Sequence, residues 1–276
     1  MIAVVLALLG AAAYGVSDFV GGLAGKRASP WAVASAGAVG GATISGTVAL
    51  LHPGDPTLVD LAWGAAAGIG NGVGTTSLYR GLASGRMGVV APVSGVLAVV
   101  LPVAVAVVTG ERPAALVWLG IASALPAIWL VAREPATGSS STSGGARDGA
   151  LAGLGFGALF ACLGQVPDSA GFWPLVLNQG VAILVVATVA SVVGAVWVPR
   201  GAAWRGLLAG LLGGCATVSF VIATQQGLLS VSAVLISLYP AVTILLAAWL
   251  LHERVHRIQA WGMALCGLAV LLVALG

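Results

Sequence analysis

The feature that most constrains this chain is a succession of ten apolar runs, each long enough to cross a bilayer. They lie at 2–24, 31–51, 58–79, 88–109, 114–132, 149–166, 172–198, 204–225, 231–251 and 258–275. About 20 residues at 1.5 Å each span a hydrocarbon core of ~30 Å. Within lipid the backbone must satisfy its own hydrogen bonds, which leaves helices or a closed barrel. Barrel strands alternate apolar and polar positions, and these runs do not alternate, so helices are expected. Composition removes the soluble alternative: 59% of residues are apolar and 7% charged, against roughly 25% charged in soluble domains. That excludes a water-soluble enzyme, a nucleic-acid binder and a disordered chain. Met1 to Ala13 has the apolar character of a leader, but no Lys or Arg precedes it and the apolar pattern resumes after Asp18. It reads as the first span.

The breaks between runs carry Gly, Pro and nearly all the charge, as in Gly25-Lys26-Arg27-Ala28-Ser29-Pro30, His52-Pro53-Gly54-Asp55-Pro56, Gly110-Glu111-Arg112-Pro113 and His252-Glu253-Arg254. One break differs. Residues 136–147 hold the tract Gly138-Ser139-Ser140-Ser141-Thr142-Ser143-Gly144-Gly145, which has nothing to bury and reads as a flexible linker. It parts the chain into units 1–135 and 148–276, with five runs in each.

A gap-free offset of 142 residues relates the two units. It pairs Tyr14-Gly15 with Phe156-Gly157, and Trp31 with Trp173. It sets Gly64, Gly68 and Gly72 on Gly206, Gly210 and Gly214. It also sets Glu111-Arg112 on Glu253-Arg254, and Gly120 on Gly262. Five crossings is an odd number, so the second unit enters the membrane from the opposite side. The expected fold is all-α: ten transmembrane helices as two inverted five-helix repeats, the plan of many secondary transporters. The Gly ladders read as sites of close helix approach.

Positive charge sets the orientation. The loops after runs 1, 3, 5, 7 and 9 hold Lys26, Arg27, Arg80, Arg86, Arg133, Arg147, Arg200, Arg205, Arg254 and Arg257, whereas those after runs 2, 4, 6 and 8 hold only Arg112. Basic loops stay cytoplasmic, so both termini are expected outside the cytoplasm, with the chain a multi-pass protein of the plasma membrane.

The stretch Tyr79-Arg80-Gly81-Leu82-Ala83-Ser84-Gly85-Arg86-Met87-Gly88-Val89-Val90-Ala91-Pro92, followed by Gly110-Glu111-Arg112-Pro113, resembles EamA-type members of the drug/metabolite transporter superfamily. Gly227-Leu228-Leu229-Ser230-Val231-Ser232-Ala233, Tyr239-Pro240 and His252-Glu253-Arg254 repeat the pattern, and Tyr14-Gly15-Val16-Ser17-Asp18-Phe19 looks like the first helix of some members. The resemblance implies ten helices around a central cavity, alternating access, and carriage of small metabolites, amino acids or drugs, often outward. Relatives are drawn with cytoplasmic termini, the reverse of the charge count here. Pro240 falls opposite Ala98, and the first unit has Pro102 instead.

Asp18 lies inside run 1. A carboxylate at mid-membrane costs about 2.5–3.5 kcal/mol on insertion scales, which points to use: it could couple substrate to H⁺ by alternating between charged and neutral forms. The alternative is an interfacial Asp paired with Lys26 or Arg27, although Lys26 is eight residues away, about 12 Å along a helix. Asn71, Thr75 and Tyr79 recur every fourth residue in run 3 and form one polar stripe. Thr217, Thr224 and Gln225 in run 8, and Tyr239 and Thr243 in run 9, are further candidates for a substrate pathway that also includes Tyr14. Each of these residues has a second reading as ordinary helix packing.

No metal spacing, phosphate loop or nucleophile motif is present, and no cofactor is expected. Cys162, Cys215 and Cys266 are scattered among apolar residues and read as packing residues. The sequence therefore points to a secondary active transporter, acting as a monomer or homodimer in the bilayer on a small-molecule substrate. Its alternatives are an uncoupled facilitator and a non-transporting membrane scaffold or sensor.

Overall fold

The computed structural model describes residues 1–25, 27–83, 87–132, 142–252 and 255–276. The protein is all-α. Its helices are α1 (Ile2–Gly25), α2 (Pro30–Leu51), α3 (Leu58–Ala83), α4 (Met87–Val108), α5 (Ala115–Ala132), α6 (Thr142–Leu163), α7 (Trp173–Val192), α8 (Gly206–Gln226), α9 (Leu229–Ile236), α10 (Tyr239–Leu250) and α11 (Arg257–Leu275). Short 3₁₀ turns at Asp168–Ala170 and Gly201–Arg205 precede α7 and α8. Among the described residues eight segments are long and apolar enough to cross a membrane: α1, α2, α5, the Ala146–Leu163 part of α6, α7, Ala203–Gln226, the continuous Leu229–Leu250 stretch and α11. The chain is a multi-span membrane protein.

The outside of the bundle is apolar. Leu9, Leu51, Trp118, Leu184, Trp249, Trp261 and Leu271 are exposed, whereas much of the buried core is Ala, Val and Gly. A soluble protein inverts that arrangement; lipid permits it, and close packing of small residues replaces the hydrophobic drive between helices.

The pairing of helices follows a regular exchange. α1 packs on α8 and α6 packs on α3; α2 packs on α8 and α7 packs on α3. α2 and α7 pack on each other, as do α5 and α11. The two Gly ladders sit at equivalent crossings. On α3, a Cβ at Gly64 would meet the Pro174 carbonyl of α7, one at Gly68 the Asn178 carbonyl at 2.6 Å, and one at Gly72 the Val185 side chain. On α8, a Cβ at Gly206 would meet the Val33 carbonyl of α2, one at Gly210 the Gly37 carbonyl, and one at Gly214 the Ile44 Cβ at 2.9 Å. Backbone lies on backbone at both, and only glycine fits.

Three expected boundaries shift. The ninth run, expected as a single helix over 231–251, breaks between α9 and α10 at Ser237 and Leu238. Pro240 has no N–H to continue the ladder and sits in the first turn of α10, where that N–H is not needed. The seventh run stops at Val192 rather than 198, since Gly194 takes a positive φ of 70°. The linker expected at 136–147 is helical from Thr142 onward; residues 136–141 lie outside the described residues. There the Asp148 carboxylate accepts from Arg80 at the end of α3, Nε at 3.0 Å and Nη2 at 2.5 Å, which holds the first turns of α6 against α3.

Candidate functional site

α1 is built from Ala, Leu, Val and Gly, and Gly15 lets α10 approach closely. A Cβ at Gly15 would stand 2.8 Å from the Tyr239 carbonyl. The approach is fastened by Thr243, whose hydroxyl donates to the Gly15 carbonyl at 3.2 Å and to the Tyr239 carbonyl at 3.3 Å. Four expected site residues therefore meet at one level: Tyr14 on α1, Thr217 on α8, and Tyr239 and Thr243 on α10.

Tyr14 is the hub. Its hydroxyl lies 2.7 Å from Thr217 Oγ1. Thr217 gives its own proton to the Gly213 carbonyl at 2.9 Å, so Tyr14 is the donor in that pair. The Tyr14 ring stands 6.0 Å from the Tyr239 ring, tilted by 54°, and 6.3 Å from the Phe160 ring of α6, edge-on at 75°. Phe160 in turn packs on Phe220 of α8 at 4.9 Å. One turn along α1, Ser17 donates to the Ala209 carbonyl at 2.7 Å.

Asp18 completes this face. Ala7 and Ala11 are buried, and Asp18, seven residues beyond Ala11, falls within about 20° of the same stripe. Leu9, on the opposite side of α1, faces outward. Yet Asp18 is exposed. It is thus an exposed residue on the stripe that carries the buried alanines. Among the described residues it has no hydrogen bond or ion pair; the ion pair present there is Arg80–Asp148.

Among the described residues no hydrogen bond joins the remaining candidates to this group. Thr224 donates to the Val221 carbonyl of its own helix, and Gln225 reaches toward the Val166 carbonyl at 3.5 Å. Both sit near the end of α8, seven or more residues beyond Thr217, about 10 Å along the axis. Asn71 and Thr75 are on α3, with a long 3.5 Å contact between them. Tyr79 is also on α3, but its side chain lies outside the described residues, as do Lys26, Arg86, Arg133, Glu253 and Arg254. Cys266 is buried and Cys162 half-buried, but Cys215 is exposed, so packing accounts for only two of the three.

The two ends of the bundle differ. At the α9 end, Glu111 accepts from Leu229 N–H at 2.5 Å, Ser230 N–H at 3.1 Å and the Ser230 hydroxyl at 2.6 Å. It therefore supplies the cap that the first turn of α9 lacks. Asp55 N–H donates to the Ser169 carbonyl at 2.9 Å beside it in sequence from the Gly54–Gly171 contact. Every residue of α9 is buried, whereas no residue of α10 is. Sequence reasoning missed the contacts of Glu111 and the roles of Ser17, Phe160 and Phe220. Hydropathy marks none of these. A separate groove between α4 and α5, lined by Val99, Val103, Trp118, Ile121 and Leu125, is apolar and includes none of these site residues.

Residues 149–275 match the EamA-like transporter family, and an EamA domain of the drug/metabolite transporter superfamily is thus identified in this chain. Members of that family are transporters, not enzymes. A solved structure described only as "Crystal structure of protein" superposes with a TM-score of 0.74, covering 99% of this chain and 96% of its own, at 15% identity. That likeness concerns the fold alone. No curated protein matches the chain.

Proposed function

We propose that this chain, carrying an EamA domain in its second half, is a secondary active carrier of the plasma membrane that exports small metabolites, amino acids or drugs by alternating access. On this reading ten spans form two inverted five-helix repeats, 1–135 and 148–276, and the membrane-plane pseudo-two-fold passes between α2 and α7. The exchange of helix partners supports it: α1 on α8 mirrors α6 on α3, and α2 on α8 mirrors α7 on α3. The termini lie outside the cytoplasm, by the basic loops.

The observation that carries the transport reading is Asp18, a carboxylate exposed on the inward stripe of a membrane helix, with no counter-charge among the described residues; on this reading it faces the carrier's cavity. It is the coupling group, taking up a proton in one state and releasing it in another. The capped α9 end and the unburied α10 support a state closed at the terminal side and open toward the basic loops, where an exporter loads.

Proteoliposomes with an imposed pH gradient test this. The parent is expected to accumulate substrate against its gradient. Asp18→Asn is expected to lose accumulation and keep counterflow exchange, and Asp18→Glu to keep part of the coupling. Accumulation by Asp18→Asn equal to the parent removes Asp18 from coupling; a parent that moves substrate only downhill is an uncoupled facilitator. A C-terminal alkaline phosphatase fusion tests orientation, and an inactive fusion reverses it.

A further inference from the structure

The site around Asp18 has a chemical bias that narrows its substrate. Its hydroxyls are committed as donors to protein acceptors: Tyr14 to Thr217, Thr217 to Gly213, Ser17 to Ala209, and Thr243 to Gly15 and Tyr239. What remains is a carboxylate, hydroxyl lone pairs and the two phenol rings. Tyr239 keeps a hydroxyl proton, one neutral donor set against a full negative charge. Among the described residues no Arg, Lys or His forms an ion pair with Asp18.

We propose that the face formed by Tyr14, Asp18 and Tyr239 binds a monovalent organic cation, an amine or quaternary ammonium, with Asp18 as counter-charge and the tyrosine rings as its walls. This rests on the transport reading of the same site. Desolvating a cation beside an unpaired carboxylate satisfies both charges, whereas an anion meets repulsion and no donor fork. A cation within about 6 Å of a ring centroid is also attracted to its face; the two rings, 6.0 Å apart and tilted by 54°, pack on each other, so the cation lies against both rings rather than between them. A zwitterion gains at its ammonium and loses at its carboxylate. A metal ion needs several oxygen ligands, and the described residues hold no cluster of three acidic, His or Cys side chains.

The test is binding to the purified full-length chain in nanodiscs by titration calorimetry. The probes are two cations, benzyltrimethylammonium and benzylamine, with phenylacetate, phenylalanine and benzyl alcohol as anionic, zwitterionic and neutral matches. At least one cation is expected to bind, and more tightly than each of the three matches. Asp18→Asn is expected to weaken it at least about tenfold, with unchanged thermal stability as the check on folding. Asp18→Glu is expected to retain binding. Tyr239→Leu is expected to weaken it about threefold or more, and Tyr239→Phe, which keeps the ring, to leave it near the parent. Binding of neither cation, tighter binding of phenylacetate or phenylalanine, or cation binding indifferent to Asp18→Asn each overturns the inference. Accumulation of a zwitterion or anion that depends on Asp18 leaves the transport reading standing without this one. A cation bound through Asp18 but never moved across a proteoliposome leaves this one standing without transport.

Discussion

Tyr14 and Asp18 on α1 have counterparts 142 residues later, Phe156 and Phe160 on α6. The scaffolds around the two pairs match: α1 crosses α8 where α6 crosses α3, and each partner helix carries a Gly ladder against α2 or α7. The chemistry does not match. Tyr14 hydrogen-bonds Thr217, while the Phe156 ring lies against Gly74, beside Thr75, the counterpart of Thr217. Asp18 is exposed, while Phe160 is 5% exposed and packs on Phe220 and Tyr14. Backbone approach depends on glycine and survives duplication. A mid-membrane charge costs about 2.5–3.5 kcal/mol, and the chain carries it on one side only.

The strongest way to break the comparison is to put the charge on the other side. Phe160→Asp buries an uncompensated carboxylate and removes the ring that backs Tyr14, and it is expected to destabilise by about 3–5 kcal/mol. Thermal unfolding in detergent reads this. If instead Phe160→Asp folds and restores proton coupling to Asp18→Asn, the two halves are chemically interchangeable after all.

The scaffold should respond equally in both halves. Gly68→Ala and Gly210→Ala each place a methyl against a carbonyl of the facing helix, Asn178 or Gly37. Each is expected to cost about 1–3 kcal/mol of unfolding free energy, the range for overpacking. A large loss in one and none in the other would show that the ladders, though matched in sequence, bear unequal load.

These ladders were legible in the sequence because a glycine every fourth residue has few causes other than close packing. Asp18 was legible because a carboxylate inside an apolar run is costly. The gathering of Tyr14, Thr217, Tyr239 and Thr243 was legible only as a set of candidates. Helical spacing tells which face a residue occupies, not its depth or which helix faces it. That is why Thr224 and Gln225, on the same helix as Thr217, proved to lie elsewhere. The split of the ninth run into α9 and α10 is invisible to hydropathy, which stays high through Ser237, and Pro240 was the one hint. Phe160 falls opposite Asp18 under the 142-residue offset, but its packing on Tyr14 depends on a tertiary crossing that no local pattern encodes.

The same ninth run supplies a finer contrast. α9 is wholly buried and capped by Glu111, while α10 is neither. Glu111→Gln keeps an acceptor oxygen but loses the charge that favours a helix N-terminus, worth about 0.3–1 kcal/mol when exposed and up to ~2 when partly buried. Hydrogen exchange of the 229–236 amides is expected to quicken by roughly that amount, with the 239–250 amides unchanged. Quickening in both segments alike would mean that Ser237 and Leu238 do not uncouple the two helices.

A further contrast separates the ring of Tyr14 from its hydroxyl. Tyr14→Phe makes α1 resemble α6, where Phe156 stands at the matching position. The hydroxyl lost is a donor, and Thr217 keeps its own bond to the Gly213 carbonyl, so no buried donor is orphaned and the cost is about 0.5–1.5 kcal/mol. The ring contacts to Tyr239 and Phe160 remain. Transport by Tyr14→Phe is therefore expected to persist, with KM raised a few-fold and coupling to the pH gradient intact. Tyr14→Leu, which removes the ring as well as the hydroxyl, is expected to cost more than Tyr14→Phe in the same assay. If Tyr14→Phe abolishes coupling as Asp18→Asn does, the hydroxyl belongs to the proton path, and the polar half of the site is larger than one carboxylate.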